Sequence, residues 1–91
     1  MYAGGRGKGT IRFMLNVPAS IRKVQVAGDF SNWRAISMRR QKQGVYAVTV
    51  DVQGSGKFEY KYLLDGQWTK DPDNSTSVTS AFGENSVAQI D

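Results

Sequence analysis

Two tryptophans and one lysine are the residues of this chain whose types and spacing could do chemistry. Trp68 follows the dipeptide Asp65-Gly66, a strong hairpin signal because both central residues of a type I′ turn need positive φ. A two-residue loop there sets Leu64 opposite Gln67, Leu63 opposite Trp68 and Lys61 opposite Lys70. Side chains alternate across a strand, so Lys61, Leu63, Trp68 and Lys70 share one face, and Tyr60, Tyr62 and Leu64 share the other. The aromatic-rich face is the expected core. Trp68 then stands outward, beside Leu63 and diagonal to the ammonium of Lys61. An outward indole next to a fixed amine is a stacking platform with a donor at its edge. The plainer alternative is a Trp that only covers the sheet. Trp33 ends the run Gly28-Asp29-Phe30-Ser31-Asn32, where Asp, Ser and Asn favour side-chain-to-backbone turns that hold a loop in one shape.

The composition excludes several other chemistries. The chain has no His and no Cys, so the usual zinc sites, disulfides and Ser-His or Cys-His nucleophile pairs are unavailable. Glycoside hydrolysis normally needs a carboxylate pair about 5–10 Å apart. Here Asp65, Asp71 and Asp73 fall in turn-forming contexts and are read as turn formers. The net charge is +4, unevenly placed: residues 1–45 hold nine Lys/Arg and one acid, residues 46–91 three and seven. A phosphate-binding surface would cluster its cations on one face. Arg39 and Arg40 instead alternate across a strand, and Arg6 and Lys8 sit in a Gly-rich run, so the bias reads as a solvated surface and no nucleic-acid partner is expected.

The elements that must position these residues read as strands throughout. With 91 residues and 40% hydrophobic content there is room for one modest core. Residues 1–9, with four glycines, are expected to be a flexible leader, and residues 10–91 the folded domain. Thr10 to Val17 alternates with Ile11, Phe13, Leu15 and Val17 on one face and ends at Pro18. Val24 and Val26 carry a short strand. Ile36 to Gln41 reads as another, with Ile36 and Met38 inward, followed by a turn near Gln43-Gly44. Val45 to Val52 is the most β-prone run, with Tyr46, Val48, Val50 and Val52 on one face. Gln53 to Gly56 is a loop, Asp71 to Thr76 is turn-rich, and Ser86 to Ile90 supplies a last strand. About seven short strands without helical periodicity argue an all-β, antiparallel sandwich. Its interior is expected to hold Phe13, Leu15, Tyr46, Val48, Tyr60 and Tyr62. No run approaches the roughly 20 apolar residues of a membrane helix, so no membrane partner is expected and the compartment is read as cytoplasmic.

Three segments, taken in order, carry a resemblance. Val24-Gln-Val-Ala-Gly-Asp-Phe-Ser-Asn-Trp33, Tyr60-Lys-Tyr-Leu-Leu-Asp-Gly-Gln-Trp-Thr-Lys-Asp-Pro72 and Gly83-Glu-Asn-Ser-Val87 resemble carbohydrate-binding module family 48 and the glycogen-binding domain of AMP-activated protein kinase β-subunits. The resemblance spans about residues 10–91. It implies an early-set, immunoglobulin-like sandwich that binds α-1,4-glucans such as glycogen, starch and maltooligosaccharides without catalysis and without a cofactor. By motif it carries the two platform positions onto Trp33 and Trp68, the sugar-binding lysine onto Lys61, and the C-terminal asparagine onto Asn85. The kinase subunit has a Leu on the loop before that Asn. Phe82 occupies the loop here with a spacing one residue shorter, and joins the carbohydrate-binding set.

These residue types suit a sugar on physical grounds as well. A pyranose has an apolar face of C–H groups that lies flat on an indole, and a hydroxyl rim that asks for directional donors and acceptors. Thr69, Lys70 and Asn32 lie nearby in sequence, with surface or ligand roles both open. Phe30 and Tyr62 belong to the core by alternation. Two functions of different class remain: a glucan-binding module, or a structural or protein-docking domain beside a catalytic partner or kinase subunit. Retention of both Trp together with Lys61 and Asn85 favours the first.

Overall fold

The computed structural model describes residues 1–4, 9–52, 56–80 and 83–90. Its strands, in chain order, are β1 (Tyr2–Gly4), β2 (Thr10–Asn16), β3 (Val24–Gly28), β4 (Ile36–Ser37), β5 (Arg39–Lys42), β6 (Val45–Asp51), β7 (Gly56–Leu64), β8 (Gln67–Thr69), β9 (Ser77–Ser80) and β10 (Gly83–Ile90), with one 3₁₀ turn at Asp29–Ser31. One sheet has the order β1-β2-β6-β5; the other runs β4-β3-β7-β10-β9, with β8 also pairing β7. Every pairing is antiparallel. The two sheets form the expected early-set, immunoglobulin-like sandwich.

The core sits where alternation puts it. Ile11, Phe13 and Leu15 of β2 turn inward and are buried, as are Tyr60 and Tyr62 of β7. Phe13 is the hub: its ring lies 4.8 Å from Tyr60, 5.3 Å from Phe30 and 6.3 Å from Tyr62, centroid to centroid. Tyr46 and Val48 pack against this cluster while remaining half-buried. Each buried aromatic of this size contributes about 1.5–3 kcal/mol through burial alone. Tyr62 is buried and Phe30, half-buried, packs against the same cluster.

Burying tyrosines requires partners for their hydroxyls, and Asp71 supplies them. Asp71 is 2% exposed. Its Oδ2 accepts from Tyr60 at 2.6 Å and from Tyr62 at 3.4 Å, and its Oδ1 accepts the Asp73 N–H at 3.0 Å. Its own N–H donates to Ser86 Oγ at 2.9 Å. The reading of Asp71 as a turn former is thus incomplete: it caps the local turn and also serves as the polar centre of the core. Burial first, then the hydrogen bond to Asp71, pushes the Tyr60 hydroxyl well above the usual tyrosine range; for Tyr62 burial is followed by the charge of Asp71.

Three further expectations are corrected. The leader is not irregular at its start: Tyr2, Ala3 and Gly4 pair with Phe13, Arg12 and Ile11, and the Tyr2 ring meets Tyr60 edge-on at 6.1 Å. An aromatic contact with the core outweighs the flexibility that the following glycines suggested. Residues 5–8 of that leader, and residues 53–55 of the following loop, lie outside the described residues. The single strand expected from Ile36 to Gln41 is two strands in different sheets, β4 on β3 and β5 on β6. Met38 is the corner. Its N–H donates to Val24 O at 2.9 Å and its side chain is buried, so the alternation survives while the chain changes sheets. Among the described residues the strands are accordingly ten short segments rather than about seven.

Candidate functional site

The outer face of the β7 sheet carries a groove lined by Asp29, Trp33, Glu59, Lys61, Trp68, Ser80 and Asn85, about 740 Å³ in volume. The β7–β8 hairpin positions two of these. Asp65 has φ 50° and Gly66 φ 83°, both left-handed as the type I′ turn demands, and the pairs Leu64–Gln67 and Leu63–Trp68 form as expected. Trp68 is 50% exposed. Asp65 also anchors the hairpin: its Oδ1 accepts the Lys23 N–H at 2.7 Å and the Arg22 N–H at 3.1 Å.

Trp33 arrives from the loop after β3, and three features fix it. Gly28 must be glycine, because a Cβ there would lie 2.5 Å from Glu59 O and 2.6 Å from the Phe30 ring. Ser31 Oγ accepts the Gly28 N–H at 3.3 Å and donates to Arg34 O at 2.8 Å, while Trp33 N–H donates to Gly28 O at 2.9 Å. Asn32 and Trp33 then both take left-handed backbone, φ 52° and 61°. For a residue as large as Trp this costs on the order of 1–2 kcal/mol. Asp29 holds the result: its Oδ1 accepts Trp33 Nε1–H at 3.1 Å and its Oδ2 accepts the Glu59 N–H at 2.8 Å. One carboxylate therefore ties the loop's indole to strand β7.

The two indoles meet with ring centroids 6.1 Å apart and planes at 60°. Lys61, on the same face of β7 as Leu63 and Glu59, donates to no acceptor among the described residues. Asn85, on β10, is 9% exposed and donates from Nδ2 to Glu59 Oε1 at 3.0 Å. Trp33, Trp68, Lys61 and Asn85 thus share one groove. Phe82 lies outside the described residues.

The sequence neighbours are engaged elsewhere. Lys70 pairs with Glu84 at 2.6 Å, and this hydrogen bond holds the exposed Glu84 carboxyl below its ordinary range. Thr69 Oγ1 donates to Gln67 O at 3.2 Å, and Asn32 serves as the left-handed end of the 3₁₀ turn. Three groove residues escaped the reading of motifs, Asp29, Glu59 and Ser80. Glu59 was available from alternation, two residues before Lys61 on the same face. The bond from Trp33 to Asp29 depends on a loop conformation that strand periodicity does not encode. Among the described residues no group of three or more His, Cys, Asp or Glu could hold a metal ion.

The family model for the glycogen recognition site of AMP-activated protein kinase matches residues 11–90. The chain belongs to this family. Among its relatives, 5'-AMP-activated protein kinase subunit beta-1 of Sus scrofa is 36% identical over 70 residues, 76% of this chain and 55% of that one. Protein PTST homolog 2, chloroplastic, of Arabidopsis thaliana is 34% identical over 74 residues, 80% of this chain and 14% of that one. The chain thus spans about half or less of the relatives it matches. In fold, the glycogen-recognition sandwich superposes on part of the maltogenic amylase from S. marinus with a TM-score of 0.74 at 21% identity, over 100% of this chain and 15% of the amylase.

Proposed function

We propose that this chain is a non-catalytic α-glucan-binding module whose groove stacks successive glucose rings on Trp33 and Trp68. Lys61 donates to the hydroxyl rim, and Asn85 supplies a further polar contact. One observation carries the reading: two indoles from separate elements, Trp68 exposed and Trp33 half-buried, converge at 6.1 Å along one groove, the second in a strained backbone held by Asp29. Indole planes inclined at 60° suit a chain that curves, as an α-1,4-glucan does, better than a flat β-1,4-ribbon. Phe82, three residues before Asn85 in sequence, is proposed to join the ligand-binding set. Membership of a glycogen-recognition family supports the ligand class.

The module works in the cytoplasm in this reading. A docking role beside a catalytic domain or kinase subunit is the second reading, favoured by relatives in which the matching segment is a minor part of a kinase subunit or larger protein. The test is a titration with maltoheptaose against cellohexaose, followed by tryptophan fluorescence. Maltoheptaose is expected to change the emission in a saturable way and cellohexaose to leave it unchanged. Equal response to both, or to neither, contradicts the reading.

A further inference from the structure

The groove is also lined by polar side chains that the stacking pair does not use. Asn85 donates to Glu59 Oε1, and this contact orients the amide. A carboxylate only accepts, so the NH₂ end of Asn85 faces Glu59 and Oδ1 is turned away. Neither Asn85 Oδ1 nor Glu59 Oε2 receives a hydrogen bond among the described residues. Since no buried side-chain oxygen or nitrogen there lacks a partner, neither atom is fully buried, and both belong to residues that line the groove. Asp29 accepts one hydrogen bond at each oxygen, from Trp33 Nε1–H and the Glu59 N–H, and adds its charge to the groove. Of the three charged side chains lining the groove, two are carboxylates and one is the ammonium of Lys61.

We propose that Glu59 is a further binding residue of this groove: Oε2 accepts a hydroxyl hydrogen from the bound chain while Oε1 orients Asn85, and its charge, with that of Asp29, makes the groove select uncharged glucans over phosphorylated ones. This rests on the glucan-binding reading above. A sugar hydroxyl has a hydrogen to give to Glu59 and to Asn85 Oδ1, and it receives one from Lys61. A phosphate monoester near pH 7 carries close to two negative charges and presents acceptors, so it meets two carboxylates with one ammonium to offset them. At a separation of several ångströms in a water-filled groove this repulsion is on the order of 5-fold in affinity, and salt weakens it.

The experiment titrates the wild-type chain and Glu59→Gln, by calorimetry in low salt, with maltoheptaose and with maltoheptaose phosphorylated at one 6-hydroxyl. Gln keeps the volume and an acceptor for Asn85 but removes the charge and replaces Oε2 with a donor. The wild type is expected to bind maltoheptaose about 5-fold tighter than its phosphate ester. In Glu59→Gln maltoheptaose is expected to weaken, the ratio between ligands to shrink towards one, and the melting temperature to stay put. A purely structural role would move both affinities together and leave the ratio alone. Equal wild-type affinity for the two ligands, or an unchanged ratio in Glu59→Gln, overturns the proposal while the glucan reading stands. Absence of maltoheptaose binding in the wild type removes both. Glu59→Ala, which frees the Asn85 amide as well, is expected to weaken maltoheptaose further than Glu59→Gln.

Discussion

Trp33 is held by a single acidic side chain, and that makes Asp29 the residue on which the first platform depends. Its two oxygens accept from the Trp33 indole and the Glu59 backbone, and Asp29→Ala leaves both donors without their partner. A net loss of about 1–3 kcal/mol in stability is expected from such truncation, measurable as a lowered melting temperature. A weaker maltoheptaose affinity should accompany it, because the strained left-handed Trp33 backbone relaxes once its tether is gone. Lys61→Ala is expected to weaken binding less than removal of either Trp, since water replaces its lost hydrogen bond at an accessible site and a typical bond nets only about 0.5–1.5 kcal/mol. Calorimetric titration of Lys61→Ala alongside Trp33→Ala ranks them, and a larger loss for Lys61 would contradict a stacking-dominated site. Trp68 and Lys61 were legible in the sequence because both lie on a strand whose register the Asp65-Gly66 turn fixes. The neighbourhood of Trp33 was legible only as a stiff loop, since its left-handed φ and its Asp29 bond belong to a loop conformation that strand periodicity does not encode.

At the scale of the element, the β7–β8 hairpin is both core and site. Its inner residues Tyr60 and Tyr62 are buried, while its outer residues Lys61 and Trp68 line the groove. Period-two alternation therefore assigned both roles at once. The same rule failed over Ile36 to Gln41 for a physical reason: inward residues continue in phase across a corner, so the pattern is blind to the sheet that each half joins. Strand β9 escaped because Ser77-Val-Thr-Ser80 contains one apolar residue, and its pairing with β10 is decided by the partner. The turn itself is testable. Gly66 has φ 83° with open space around its Cα, so Gly66→Ala meets backbone strain and no clash, about 1 kcal/mol or slightly more. Denaturant unfolding should register that loss with maltoheptaose affinity little changed, because Trp68 stays paired opposite Leu63. A large loss of affinity without loss of stability would mean that the turn itself touches the ligand.

For the whole molecule, the buried tyrosine pair sets a limit at high pH. Both hydroxyls have folded-state pKa values raised above the unfolded value of about 10. Native protein therefore holds these protons more tightly than unfolded chain does. Their contribution to stability is complete below pH 10 and is lost as pH rises beyond it, by about 1.4 kcal/mol per pH unit for each tyrosine. Thermal melts from pH 8 to 12 should be flat in this respect at first and then fall, and Tyr62→Phe should fall less steeply. Equal slopes in the two proteins would show that other groups govern the alkaline limit.

The same architecture keeps the groove clear of the core, since the residues that bury Phe13 point away from those that line the groove. Truncating the exposed Trp68 should thus cost affinity and spare the fold. Calorimetric titration of Trp68→Ala with maltoheptaose, at a melting temperature equal to that of the wild type, tests the two-platform account most directly. Loss of one stacking aromatic predicts a weakening of about 1–3 kcal/mol, roughly 5- to 150-fold, and wild-type affinity in the folded variant would contradict it.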